Sequence, residues 1–209
     1  MAEMFLHTML TPKVQETQRH YYGRRTYGVG EDAPLPDQLT DEERKFIESR
    51  NSFYLSCITE DGWPYVQHRG GTRGFLRVTG PNQLMFADYG GNRQLITAGS
   101  LAVNSRVCLF LMDYAARERL KLLGHASVFD AREHPHLVVQ STPPGGHTAA
   151  VERVMVIRLV GYDWNCSKFI PRLVALDELG PIVDPLKARI AELEAQLDAA
   201  PSEKGVSGN

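Results

Sequence analysis

The 209-residue sequence predicts a mainly β protein of the α+β class: an antiparallel barrel with helices at its N-terminal side and one at its C-terminal side. Three observations predict it. Six or seven runs of aliphatic, aromatic and β-branched residues follow one another at short spacing between residues 52 and 164. Turn sequences such as Glu60-Asp61-Gly62 and Gly80-Pro81-Asn82 join neighbouring runs as hairpins, which a parallel βαβ sheet does not use. One helix, over 93–103, crosses between the strands mid-sheet.

The elements follow in order. Thr11-Pro12 is a helix start, an N-cap residue followed by Pro at N1, although 13–24 carries little apolar surface. Residues 28–38 are rich in Gly, Pro and Asp and read as a loop. Thr40 and Glu43 form a capping box that opens a helix over 41–49, with Phe46 and Ile47 as its core contacts. Strands are expected over 52–59, 63–69, 74–79, 83–87, 106–113, 119–130 and 151–164, with a short helix over 131–140 and a Pro/Gly loop over 141–147. In the tail, Leu179, Val183, Leu186, Ile190, Leu193 and Leu197 recur at spacings of 4, 3, 4, 3 and 4. Such a seam suits a coiled coil or a groove, and equally a helix packed on its own domain. Residues 201–209 read as a disordered end. The chain thus divides into an N-terminal helical arm (1–50), a barrel (51–177) and a C-terminal helix with its tail (178–209).

Composition removes several classes of function. Lys plus Arg number 23 and Asp plus Glu 25, a net charge of −2. A general nucleic-acid binder would show a basic excess. The three cysteines, Cys57, Cys108 and Cys166, form no CxxC pair and read as reduced thiols of a cytoplasmic protein. The first ten residues lack a basic, then apolar, signal-peptide pattern, and no run of 18 apolar residues exists to span a membrane. His134 and His136 flank Pro135 and read as a surface turn, so no metal site is expected. GxSxG, P-loop and strand-linked GxGxxG patterns are absent, and no catalytic residue can be named.

Three clusters can carry chemistry. The first is Pro64-Tyr65-Val66-Gln67-His68-Arg69-Gly70-Gly71-Thr72-Arg73-Gly74-Phe75, in which two arginines, a histidine and three glycines lie within seven residues at a strand end. Arginine offers a planar donor fork for phosphate and glycine lets the backbone approach a ligand; a glycine-rich bulge with exposed arginines accounts for it equally. The second, Asp88-Tyr89-Gly90-Gly91-Asn92-Arg93, leads into a helix, with Asn92 as its cap. Free N–H groups and the helix dipole there favour an anion; an ordinary capped helix is the alternative. The third, Trp164-Asn165-Cys166-Ser167-Lys168-Phe169, follows the last strand and reads by itself as a corner with a buried Trp and Cys.

Taken in order, these residues resemble the pyridoxamine 5′-phosphate oxidase-like family of FMN-binding split barrels. The pieces that carry the resemblance are 61–71, 74–78, 84–93, 104–111, 123–126 and a closing 165–172 segment similar to a flavin-nucleotide-binding branch. The resemblance implies a homodimer with FMN in the cleft between subunits. It implies an FMN phosphate near Arg69, Asn92 and Arg93, and a strand from Gln67 through His68 and Gly70 to Gly71 beside the ribityl chain and ring edge. It further implies Ala87 and Asp88 near the ring, and Trp164, Asn165, Cys166 and Lys168 reaching the flavin held mainly by the partner. The implied activity is an oxidoreductase acting on an unidentified small molecule, with a nicotinamide as a possible electron donor. Alternatives are a non-catalytic flavin-binding or redox-sensing protein, or a split barrel using F420 or haem. The chain departs from the oxidase proper in its His68-Arg69-Gly70-Gly71 strand and in ending with Asp177-Glu178-Leu179-Gly180 and an acidic–basic helix, where that enzyme has basic segments. Both departures argue against that enzyme's own reaction.

Overall fold

A computed structural model describes residues 3–24, 32–144, 151–164, 168–174 and 176–199. Asn165, Cys166 and the 201–209 tail lie outside the described residues. The chain divides between Ile170 and Pro171 into two units, and the N-terminal arm belongs to the same unit as the barrel. That division differs from the expected boundaries at 50/51 and 177/178.

The first unit begins with α1 (Glu3–Met9) and α2 (Pro12–Tyr22), the latter capped by Thr11 as its sequence indicates. α1 has no local cap signal. Its first amides are satisfied from a distance: those of Glu3 and Met4 donate to Asp37 Oδ1 at 3.0 and 3.2 Å. Asp37 Oδ2 also accepts from the amide of Tyr162 at 3.1 Å, so one carboxylate ties the helix to the last strand. Phe5 is buried by this docking. Close approach requires Gly161, where a Cβ would lie 2.5 Å from the Phe5 backbone nitrogen.

Next comes α3 (Asp41–Glu48). Its capping box is complete, with Glu43 Oε2 accepting from the Thr40 amide at 3.0 Å. Phe46 and Ile47 enter the core, as expected.

Seven strands follow: β1 (Ser52–Ile58), β2 (Pro64–Gly70), β3 (Arg77–Gly80), β4 (Gln83–Tyr89), β5 (Arg106–Asp113), β6 (Glu118–Asp130) and β7 (Val151–Trp164). They form one antiparallel sheet in the order β2-β1-β5-β6-β7-β4-β3. β2 and β3 are its edges. This is the α+β split barrel. The third strand is shorter than the predicted 74–79, because Gly74 adopts φ +81 and keeps the chain in a turn until Arg77.

The interior alternates as a strand period of two demands. Phe53, Leu55, Leu84, Phe86, Leu109, Leu111, Leu120, Leu122, Met155 and Ile157 form the main core. A smaller cluster, Ala87, Val138, Val151 and Val154, lies under α5 (Pro135–Ser141). β4 is therefore covered on both faces, which explains its run of five buried residues. A shift of register skips Val160 in β7 between Gly161 and Leu159, and the carbonyl of Val160 accepts instead from the amide of Asp37 at 3.1 Å.

Between β4 and β5 lies α4 (Ile96–Val103), three residues shorter at its start than the predicted 93–103. Arg93 and Leu95 adopt positive φ of 60 and 55 and delay the helix. The second unit contains α6 (Leu176–Ala199), which includes Pro181 and Pro185.

Candidate functional site

A concavity lies where the two halves of the sheet come apart, between edge strand β2, the C-terminal end of β4 and the start of α4. The cavity holds about 450 Å³, within the range usual for small-molecule sites. Strand parity decides which side chains line it. On β2, Tyr65, Gln67 and Arg69 face the cavity, and the even-numbered residues face away.

Asp88 organises the charge. Arg69 Nη1 donates to its Oδ1 at 2.7 Å and Arg153 Nε to its Oδ2 at 2.9 Å. All three side chains are largely buried. Asp88 and Arg153 are direct cross-strand partners on β4 and β7, whereas Arg69 reaches over from β2. Burial alone would weaken the charged form of Arg153. The hydrogen bond and charge of Asp88, joined by those of Glu152, outweigh it and hold its pKa above the ordinary arginine value.

A bulge adds Glu152. Asp88 pairs with Arg153 but Tyr89 pairs with Val151, so Glu152 has no partner across the ladder. The extra residue turns both Glu152 and Arg153 toward the cavity, where they form an ion pair of 2.9 Å. Gly90 leaves the room: a Cβ there would lie 2.5 Å from Glu152 Oε1.

The remaining wall is built for an anion. Leu95, the N-cap of α4, makes no side-chain cap bond, and Ile96, Thr97 and Ala98 of the first turn line the cavity. An uncapped first turn presents N–H donors and the positive end of the helix dipole. Arg93 stands beside it. Thr97 Oγ1 donates to Gln67 Oε1 at 2.8 Å, which fastens the helix to β2 and fixes the orientation in which the Gln67 amide NH₂ can donate. The Arg69 Nε is buried with no hydrogen-bond partner. A buried, unpartnered guanidinium nitrogen calls for an acceptor from a ligand.

Of the residues singled out in the sequence, the cavity brings together Arg69, Asp88, Asn92 and Arg93, with Tyr65 and Gln67 from the first cluster and Tyr89 and Gly91 from the second. His68, Gly70, Gly71 and Ala87 do not line it. His68 packs edge-on against Tyr54, ring centroids 5.6 Å apart, on the outer face of β2. Ala87 belongs to the small core under α5, and Gly71 sits against the Phe75 ring. Arg73 turns elsewhere, donating to the Ser49 carbonyl at 2.7 Å. Asn92 is not the cap of α4: its Oδ1 accepts from the Gln94 amide at 3.1 Å, and the helix starts later.

Trp164 lies in a different place. It packs edge-on against Phe46 at 4.7 Å and donates its indole N–H to Glu43 Oε1 at 2.8 Å. Burial pushes the Glu43 carboxyl up, but the hydrogen bonds from Thr40 and Trp164 outweigh it and hold it below its ordinary pKa. Burial and the same carboxylate push the nearby Tyr162 up to about 12. Lys168 is exposed, its ammonium 5.5 Å from the Phe169 ring centroid.

Residues 39–159, more than half of the chain, match the sequence profile of the pyridoxamine 5′-phosphate oxidase family. The chain belongs to that family. Solved structures similar to it include a candidate pyridoxamine 5′-phosphate oxidase from Lactobacillus delbrueckii (20% identity, 60% of this chain and 93% of that one, TM-score 0.47). HutZ, a haem storage protein from Vibrio cholerae, is similar at 18% identity over 59% and 90% of the two chains (TM-score 0.42). An FMN-binding protein from Syntrophomonas wolfei is similar at 12% identity over 59% and 83% (TM-score 0.42). No curated protein matches the chain. Among the described residues, no helix is long and apolar enough to cross a membrane.

Proposed function

We propose that this family member binds FMN in the cavity between β2, β4 and α4 and works as an oxidoreductase on a small molecule. The observation that carries the reading is the buried Arg69 Nε, unpartnered beside the uncapped first turn of α4. The residues fit the phosphate end of the nucleotide. Arg69 would donate through Nε, Arg93 would add a second fork from the loop, and the first-turn amides of α4 would complete the cradle. Asp88 and Arg153 hold Arg69 in one orientation, so the donor is set before the ligand arrives. Gln67 and Glu152 offer a donor and an acceptor to the hydroxyls of a polyol chain.

The flavin, once bound, supplies the exchange of electrons with a small-molecule substrate or a nicotinamide; the protein supplies binding, orientation and electrostatics. A second copy of the chain would complete the cleft. The outer face of β1 and β2 supports that: Tyr54, Ile58 and Val66 are exposed there next to His68, with Trp63 at the turn. Trp164, Asn165, Cys166 and Lys168 are then assigned to the partner's flavin.

Purified protein tests the reading directly. Flavin absorbance in the protein fraction, or its appearance on adding FMN, supports binding, and bleaching by a reduced nicotinamide with turnover supports the enzyme. Stable colour without turnover favours a sensor or carrier. Failure to take up FMN, with uptake of F420 or haem instead, overturns the cofactor assignment.

A further inference from the structure

We propose that α6 pairs in parallel, in register, with α6 of a second copy of this chain. After Pro185 the helix carries Leu186, Ile190, Leu193 and Leu197 on one stripe, and these are 60%, 55%, 41% and 75% exposed. An apolar stripe of that length left in water is unfavourable, and its spacing is that of a two-stranded seam. The residue types specify the partner. With Val183, Ile190 and Leu197 at position a and Leu186 and Leu193 at position d, two of the three a positions are β-branched and both d positions are leucine, the choice that favours two parallel strands.

The flanking charges agree. In that register Arg189 occupies position g and Glu194 position e of the next heptad. A parallel pair places Arg189 of each helix against the Glu194 side of the other, once on each flank. Within its own helix Arg189 already pairs with Glu192, so the guanidinium lies on that side of the seam. An antiparallel pair would bring g against g, where Arg189 and Gln196 supply no opposite charges, and e against e, where Lys187 meets Glu194; the residue types at a and d decide between the two orientations. The two prolines sit at positions f and c, Pro181 and Pro185, on the face away from the seam. The seam after Pro185 is two heptads, too short to hold two free helices together. Its strength comes from tethering to paired barrels, which raises its effective concentration. The proposal therefore rests on the homodimer reading above.

Two measurements on the full-length chain separate the readings. Sedimentation gives the oligomeric state. Mild oxidation of Leu193→Cys, at a seam position, is compared with Ala195→Cys at the outer position f, the native chain with its own cysteines setting the background. The expected result is a dimer in which Leu193→Cys cross-links about tenfold or more faster than Ala195→Cys. Adding Glu194→Arg should slow that cross-link, and adding Arg189→Glu as well should restore it. A dimer in which both cysteines cross-link alike overturns the helix pairing and leaves the barrel dimer standing. A monomer overturns both.

Discussion

Arg69 and Asp88 lie on strands that share no backbone hydrogen bonds, yet their side chains meet at 2.7 Å. β2 is an edge of the sheet and β4 is next to the other edge. The ion pair closes the split in the barrel where the ladder does not, and Arg153 fixes the second carboxylate oxygen from β7. The same contact that holds the fold closed also aims a guanidinium into the cavity.

Removing Asp88 should therefore cost stability before it costs anything else. In Asp88→Asn the largely buried Arg69 loses its countercharge and Arg153 keeps only that of Glu152. Breaking a buried pair in this way costs about 3 kcal/mol or more. Urea denaturation of the ligand-free chain should show a lower midpoint at unchanged slope. An unchanged midpoint would mean that the pair is not what holds β2 to β4.

Two glycine substitutions should differ although each Cβ would lie 2.5 Å from its neighbour. At Gly161 the obstacle is backbone, the Phe5 nitrogen, so Gly161→Ala must push α1 off β7. Overpacking of that kind costs about 1–3 kcal/mol. At Gly90 the obstacle is the end of the half-exposed Glu152 side chain, which can swing away. Gly90→Ala should leave the thermal midpoint nearly unchanged and alter ligand affinity instead. Equal stability losses would contradict the geometry.

The pH dependence should reveal Glu43. Its carboxyl is held below the ordinary value of 4.5 by Thr40 and Trp164 in the folded chain. The unfolded chain therefore takes up the proton first as pH falls. The contribution is present in full above the unfolded pKa and disappears as pH drops through the folded one. Urea midpoints should fall on acidification below about pH 4.5, and less steeply in Glu43→Gln. Parallel slopes in the two proteins would remove Glu43 from the explanation.

The strands, both hairpin turns and the α3 capping box were legible in the sequence because period-two alternation and local capping chemistry are written in neighbouring residues. The seven-stranded order was accessible only through resemblance, since strand pairing joins residues far apart in the chain. Arg69, Asp88, Asn92 and Arg93 stood out as charge and glycine clusters. Gln67 and Tyr65 belong to the first of those clusters, and once Arg69 faces inward, alternation along β2 brings both with it and turns His68 outward. Glu152 and Arg153 were not within reach. They occur in a plain strand sequence, and only the bulge opposite Tyr89 places two consecutive residues on one side. The long-range cap of α1 by Asp37 leaves no local signal for the same reason, since 34 residues separate donor and acceptor.

The central claim is that this cavity holds the phosphate of FMN, and a pair of titrations tests it most directly. FMN and riboflavin, which differ by that phosphate alone, are titrated into the native chain and into Arg93→Ala by following flavin fluorescence. Loss of a charge-assisted hydrogen bond is worth about 1.5–3 kcal/mol, so the variant should bind FMN roughly ten- to a hundredfold more weakly. Riboflavin should bind both proteins alike. FMN binding that is equally tight in both, or a parallel loss for riboflavin, would contradict the account.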